Sequence, residues 1–162
     1  VAWDLQHRHG VSLALSGFWI VAYPAGGLLY AMFSAPLVAR LGEQGLALAG
    51  GLLIGAGYLF LLLAPAALVV LPGLLAVGIG FAMLHNTLQV NATQMAPEAR
   101  GAAVSLFAFC LFTSQSAGIA VVGRVIDAAG IWPAFLAAAI GLPLLAIEFR
   151  RRLRRKAPGS AA

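Results

Sequence analysis

Charge is what this chain lacks most. From Gln44 to Pro97 there are 54 consecutive residues without one Asp, Glu, Lys or Arg. Charged residues make up only 9% of the chain, against 62% apolar residues, and mean hydropathy is +0.96. A soluble domain of 162 residues has no interior able to bury such a stretch, so the composition excludes that class and points to a membrane protein. As one straight helix the 54 residues would reach about 80 Å, against roughly 30 Å of hydrocarbon. The stretch therefore has to fold back, and Ala64-Pro65-Ala66 is the natural place.

Cysteine is almost as scarce. Cys110, alone and inside an apolar run, rules out a disulfide framework and a zinc cluster. No Walker-type phosphate loop, zincin motif or acid pair for hydrolysis is present, so no enzyme activity, cofactor or metal is expected. His7-Arg8-His9, near Asp4, offers too few ligands for a metal and is expected to be a solvated external loop.

Three other charge-free intervals, 9–39, 101–123 and 128–147, are each as long as the roughly 20 residues a crossing needs. With the long stretch counted twice, the chain is expected to be an all-α membrane protein with five spans, at about 12–38, 46–63, 68–91, 101–123 and 131–149. Helices are required because each span must satisfy its own backbone hydrogen bonds in lipid. Residues 1–11 then form an external segment and 150–162 a basic tail. Val1-Ala2-Trp3 is read as the frayed end of a preceding helix or of its loop. The missing Met and signal peptide suggest an absent upstream part, with a complete short protein as the other possibility.

What charge there is has a pattern. Six of the ten basic residues stand in Arg150-Arg151-Arg152-Leu153-Arg154-Arg155-Lys156, directly after an apolar segment. That placement favours an anionic lipid surface and not nucleic acid. With this run cytoplasmic, Arg40 and Arg100 fall on the same side and Arg8 and Arg124 outside, eight basic residues against two.

The spans differ in polarity. The second offers only Tyr58, and the fifth only the indole of Trp132, so both are expected to face lipid. The first carries Ser12, Ser16, Tyr23 and Ser34, the third His85, Asn86, Thr87, Gln89 and Asn91, and the fourth Ser105, Thr113, Ser114, Gln115 and Ser116. Those three are expected to face one another or a wet cavity. His85, Asn86 and Gln89, at i, i+1 and i+4, share one side of a helix and are the leading site candidates, with Tyr23 and Gln115 beside them. For His85 and Gln89, and likewise for Gln115, a simple interhelical hydrogen bond is the competing reading; His85 also has a titratable ring able to exchange a proton. Ser114 is expected to bond back to its own helix. Pro24 should kink the first span, and Gly26-Gly27, Gly78 and Gly80 should let helices approach. The Gly51-xxx-Gly55 spacing carries little weight in a chain with 19 glycines.

The connecting segments carry a resemblance. Ala96-Pro97-Glu98-Ala99-Arg100-Gly101, running into Ala102-Ala103-Val104-Ser105-Leu106-Phe107, resembles the cytoplasmic loop entering the eleventh helix of major facilitator superfamily transporters. Gly123-Arg124-Val125-Ile126-Asp127-Ala128-Ala129-Gly130 resembles the external turn after it, and Leu84-His85-Asn86-Thr87-Leu88-Gln89 the end of the tenth helix in sugar and drug efflux members. The five spans then correspond to helices eight to twelve. The family's G-x-x-x-D-R-x-G-R-R loop is echoed only by Arg40 and Gly42, with Ala35, Ala39, Glu43 and Gln44 at its other marked positions. Independently of the family, Pro97 suits a first helical turn, Glu98 complements its positive end, and Arg100 can reach headgroups. Arg124 and Asp127, at i and i+3, are placed to pair.

The resemblance implies the C-terminal part of a proton-driven efflux or uptake carrier of the bacterial inner membrane. Its partners would be a small-molecule substrate, the bilayer and the missing N-terminal half. No span contains a carboxylate, so a coupling acid would lie in that half. A non-transporting integral-membrane assembly module is the alternative.

Overall fold

A computed structural model describes residues 1–156, and among these every regular element is helical. The helices are α1 (Ala2–His7), α2 (Leu13–Ile20), α3 (Ala22–Leu63), α4 (Val70–Gln94), α5 (Arg100–Ala129) and α6 (Trp132–Lys156). Single 3-10 turns at Ala67–Val69 and Pro97–Ala99 lead into α4 and α5. Residues 157–162 of the basic tail lie outside the described residues.

Local chemistry sets the boundaries. The Ser12 hydroxyl accepts from the Leu15 N–H at 3.3 Å and caps α2. Ala64-Pro65-Ala66 separates α3 from α4, as the sequence suggests, since Pro65 has no N–H to continue the ladder. Gly130, at φ 77°, closes α5 with its N–H on the Ile126 carbonyl at 2.9 Å. Pro24 does not kink the middle of a span. The break comes earlier, at Val21, and Pro24 sits in the first turn of α3, where its missing donor costs nothing.

At 42 residues α3 would be about 63 Å long if straight, too long for one crossing. It is divided at Gly42, which has φ 61° and ψ 178°. The arm before Gly42 climbs α4 in parallel, with Tyr23 against Gly78 and Gly26 against Leu75 and Ile79. The arm after it runs the other way, Gly50 meeting Gly80 and Leu84, then Gly57 meeting Gly73 and Val77. The chain thus reverses at one left-handed residue. A Cβ at Gly42 would have open space around it, so the cost of Gly42→Ala is purely conformational. We expect this variant to lose about 1–2 kcal/mol in denaturant unfolding of the purified protein.

The second arm is the centre of the bundle. Gly50, Gly51, Ile54, Gly55, Gly57 and Leu61 are all buried. One side meets α4; the other meets α6, where a Cβ on Gly51 would strike Ala146 and one on Gly55 would strike Pro143. The expectation that the second span is lipid filler is therefore wrong. Between helices in lipid, small residues allow close backbone approach, and glycine marks an interior position without any polarity. For the same reason the discounted Gly51-xxx-Gly55 spacing is a real contact, with α6 as its partner. The fifth span, α6, is likewise packed on one side, through Phe135, Leu142 and Ala146. The fourth is the reverse case, because α5 has no buried residue at all.

His7 and Arg8 are exposed, but the residues just before them are packed into the bundle. Leu5 and Asp4 are 0% and 1% exposed. Arg8 holds Asp4 at 3.1 Å and donates to the carbonyls of Leu62 and Ala64 at 3.3 and 3.4 Å. A cation at the C-terminal end of a helix satisfies carbonyls that have no intrahelical partner and complements the helix dipole. This ties α1 to the end of α3.

Candidate functional site

The helix directions sort the ends of the bundle. Arg40, Gly42, the 95–99 turn and the basic end of α6 lie at one end, and Arg8, Ala64-Pro65-Ala66 and Arg124 at the other. At the first end Pro97, Glu98, Arg100 and Gly101 are exposed, as is Arg40. Here Asn91 donates to the Glu43 carboxylate at 3.2 Å and to the Thr87 carbonyl at 2.9 Å. The turn after Gly42 is thus tethered to α4 through Glu43. At the opposite end Arg124 and Asp127 are exposed and do not pair. The ion pairs among the described residues are Arg8–Asp4 and Arg152–Glu148.

Midway along the bundle, α3, α4, α5 and α6 line a half-open cavity of about 340 Å³. Its lining includes Tyr23 and Tyr58 from α3, Phe81 and His85 from α4, and Phe107 from α5. Four of these rings form a ladder across three helices. Tyr23 is tilted on Phe81 at 5.9 Å, Phe81 stacks on His85 at 5.2 Å and 9°, and His85 is tilted on Phe107 at 5.7 Å. The i, i+4 spacing of Phe81 and His85 makes the central step possible. A second cavity, of about 190 Å³, adjoins on the α1 side and shares Tyr23, Tyr58 and Val77.

The structure gathers only some of the expected site residues. Tyr23 and His85 meet through Phe81 in the larger cavity. Asn86 is exposed and Gln89 half-buried, and neither lines that cavity. Gln115 is exposed on α5. Sequence reasoning missed Tyr58, Phe81 and Phe107; the signal for Tyr58 was its being the one polar side chain in an otherwise apolar span.

Side-chain hydrogen bonds on α3 to α6 among the described residues come from Ser34, Thr87, Asn91, Thr93, Ser105, Ser116 and Arg152. Ser105 and Ser116, rather than Ser114, bond back to their own helix, on Gly101 and Phe112. Tyr23, Tyr58, His85 and Gln115 use their polar atoms in none of these bonds.

Apolar rods long enough to cross a bilayer, packed on glycine seams beside a half-open cavity, define a polytopic helical membrane protein. The family model described as Major Facilitator Superfamily matches residues 1–162, and the chain belongs to that family. Among its relatives is an uncharacterized MFS-type transporter of Burkholderia mallei (strain SAVP1), 39% identical over 114 residues. An uncharacterized MFS-type transporter of Burkholderia pseudomallei (strain K96243) matches equally well. Each match covers 66% of this chain and only 28% of the relative's length. No solved structure matches the chain significantly.

Proposed function

We propose that this chain is the C-terminal portion of a secondary transporter that moves a small solute by alternating access, driven by the proton gradient. Family membership supports transport across a membrane. The finer reading rests on one observation, the bareness of α5. It has no buried residue, yet it presents Thr113, Ser114 and the unpaired amide of Gln115 outward. An amide left without a partner in hydrocarbon costs several kcal/mol, so this face calls for another protein surface or water. The N-terminal half packs there, and the solute passes between the halves near the midplane.

In this reading the end carrying Arg40, Arg100 and the α6 arginines faces the cytoplasm of a bacterial inner-membrane protein, following the excess of basic residues. Arg40, Gly42, Pro97, Glu98, Arg100 and Gly101 then form the cytoplasmic loops, with Arg124 and Asp127 outside. Gln115, Asn86 and Gln89 line the pathway from the half-to-half side, while Tyr23 and His85 line it from within this portion.

Thiol labelling tests the arrangement. In the full-length protein with Cys110→Ala, Gln115→Cys is expected to react with a charged, membrane-impermeant thiol reagent. Leu52→Cys, on the outer side of the second arm, is expected to stay unreactive. Equal inertness at both positions would place α5 against lipid and defeat the reading.

A further inference from the structure

The larger cavity has a composition that selects its contents. No Asp, Glu, Lys or Arg lines it, and its only polar groups are the hydroxyls of Tyr23 and Tyr58 and the ring nitrogens of His85. None of the three side chains is hydrogen-bonded to a described residue. An apolar pocket with a few convergent polar groups is the usual form of a small-molecule site.

We propose that the cavity bounded by Tyr23, Tyr58, Phe81, His85 and Phe107 binds a small, uncharged, flat aromatic molecule that carries one hydrogen-bonding group. The cavity is half open, and because Tyr23 and His85 also line the proposed pathway, this inference rests on that reading. Its volume, about 340 Å³, equals the liquid space of about eleven waters, enough for two fused rings. The Phe81, His85 and Phe107 rings offer faces and edges at stacking separations, which suits a planar guest.

The same inventory rejects other guests. A sugar would bring more hydroxyls than the three polar side chains can meet, and each unmet one loses its water for nothing. An organic anion finds no cation. An organic cation finds ring faces but no carboxylate to neutralise it once desolvated. A lipid chain fits the walls but leaves the tyrosine hydroxyls and the imidazole unpaired.

The probe is 2-naphthol, measured by equilibrium dialysis against the full-length protein in nanodiscs, with empty nanodiscs subtracting partition into lipid. One saturable site is expected. Leu111→Trp, which pushes an indole into the cavity from loosely packed α5, is expected to weaken binding about tenfold or more. Tyr58→Phe keeps the ring and removes only the hydroxyl, so about a fivefold loss is expected. Should Leu111→Trp fail to elute as a single species, Tyr58→Phe and His85→Leu decide the matter. Absence of saturable binding, or binding indifferent to these changes, would overturn the proposal. Displacement of 2-naphthol by glucose or tetraethylammonium would overturn the ligand class. Dialysis needs no ion gradient, so a failure here leaves the labelling result at Gln115 standing, and the reverse also holds.

Discussion

Gly80→Ala should destabilise the protein by about 2–3 kcal/mol, a large share of the roughly 5–15 kcal/mol that holds a typical fold together. A Cβ on Gly80 would lie 2.6 Å from the Gly50 carbonyl oxygen and 2.8 Å from the Ile54 N–H nitrogen. Both atoms are backbone, so no rotamer change relieves the overlap, and α3 and α4 must separate. Separation opens the rest of the seam, where Gly50 and Gly57 make similarly close approaches. The matching control is Gly141→Ala on α6. A Cβ there has open space, and the exchange of Gly for Ala in an exposed helix should add up to about 1 kcal/mol. Thermal unfolding in detergent should therefore show the same substitution lowering the midpoint at 80 and leaving it unchanged or higher at 141. Equal shifts at both sites would mean the two helices do not touch where the structure puts them.

Arg8→Ala should have the next largest effect. Asp4 is 1% exposed, and Arg8 supplies its charge partner at 3.1 Å while also holding the last carbonyls of α3. Removing one member of a buried pair costs about 3–5 kcal/mol because the other charge is stranded. Arg8 is itself 36% exposed, so water softens that penalty, and about 1–3 kcal/mol is expected. A double-mutant cycle with Asp4→Asn separates the pair from the carbonyl contacts. Asp4→Asn in the Arg8→Ala background should recover part of the loss. No recovery, together with an unchanged rate of proteolysis near His7, would show that α1 is not fastened to α3.

That the chain is a set of long apolar helices was legible in the sequence; which helices are neighbours was much less so. Charge-free intervals and Ala64-Pro65-Ala66 suffice to point to helices that fold back, because lipid forbids unpaired backbone and leaves few alternatives. Interior and exterior were harder. Polarity was taken as the sign of an inward side, and it misses the second span, while at the fourth it marks a side that no helix of this chain covers. The glycine-rich second arm of α3 sits in the middle, while α5, with its Thr and Gln, is bare. Close packing of glycines leaves no mark in a polarity scale, and a polar face made for an absent surface resembles one made for a present cavity. Of the candidate site, His85 and Tyr23 were found because they are polar in apolar spans. Phe81 and Phe107 were not, since an aromatic among aliphatics becomes informative only when another ring is seen beside it. The Glu43–Asn91 bond was equally out of reach, joining residues 48 apart in sequence.

The reversal at Gly42 also bears on how the bundle can move. A turn of one residue leaves no slack between residues 22–41 and 43–63, so a slide of either arm along its axis is passed directly to the other. Both arms lie on α4, and a longer turn there would let them shift separately along it.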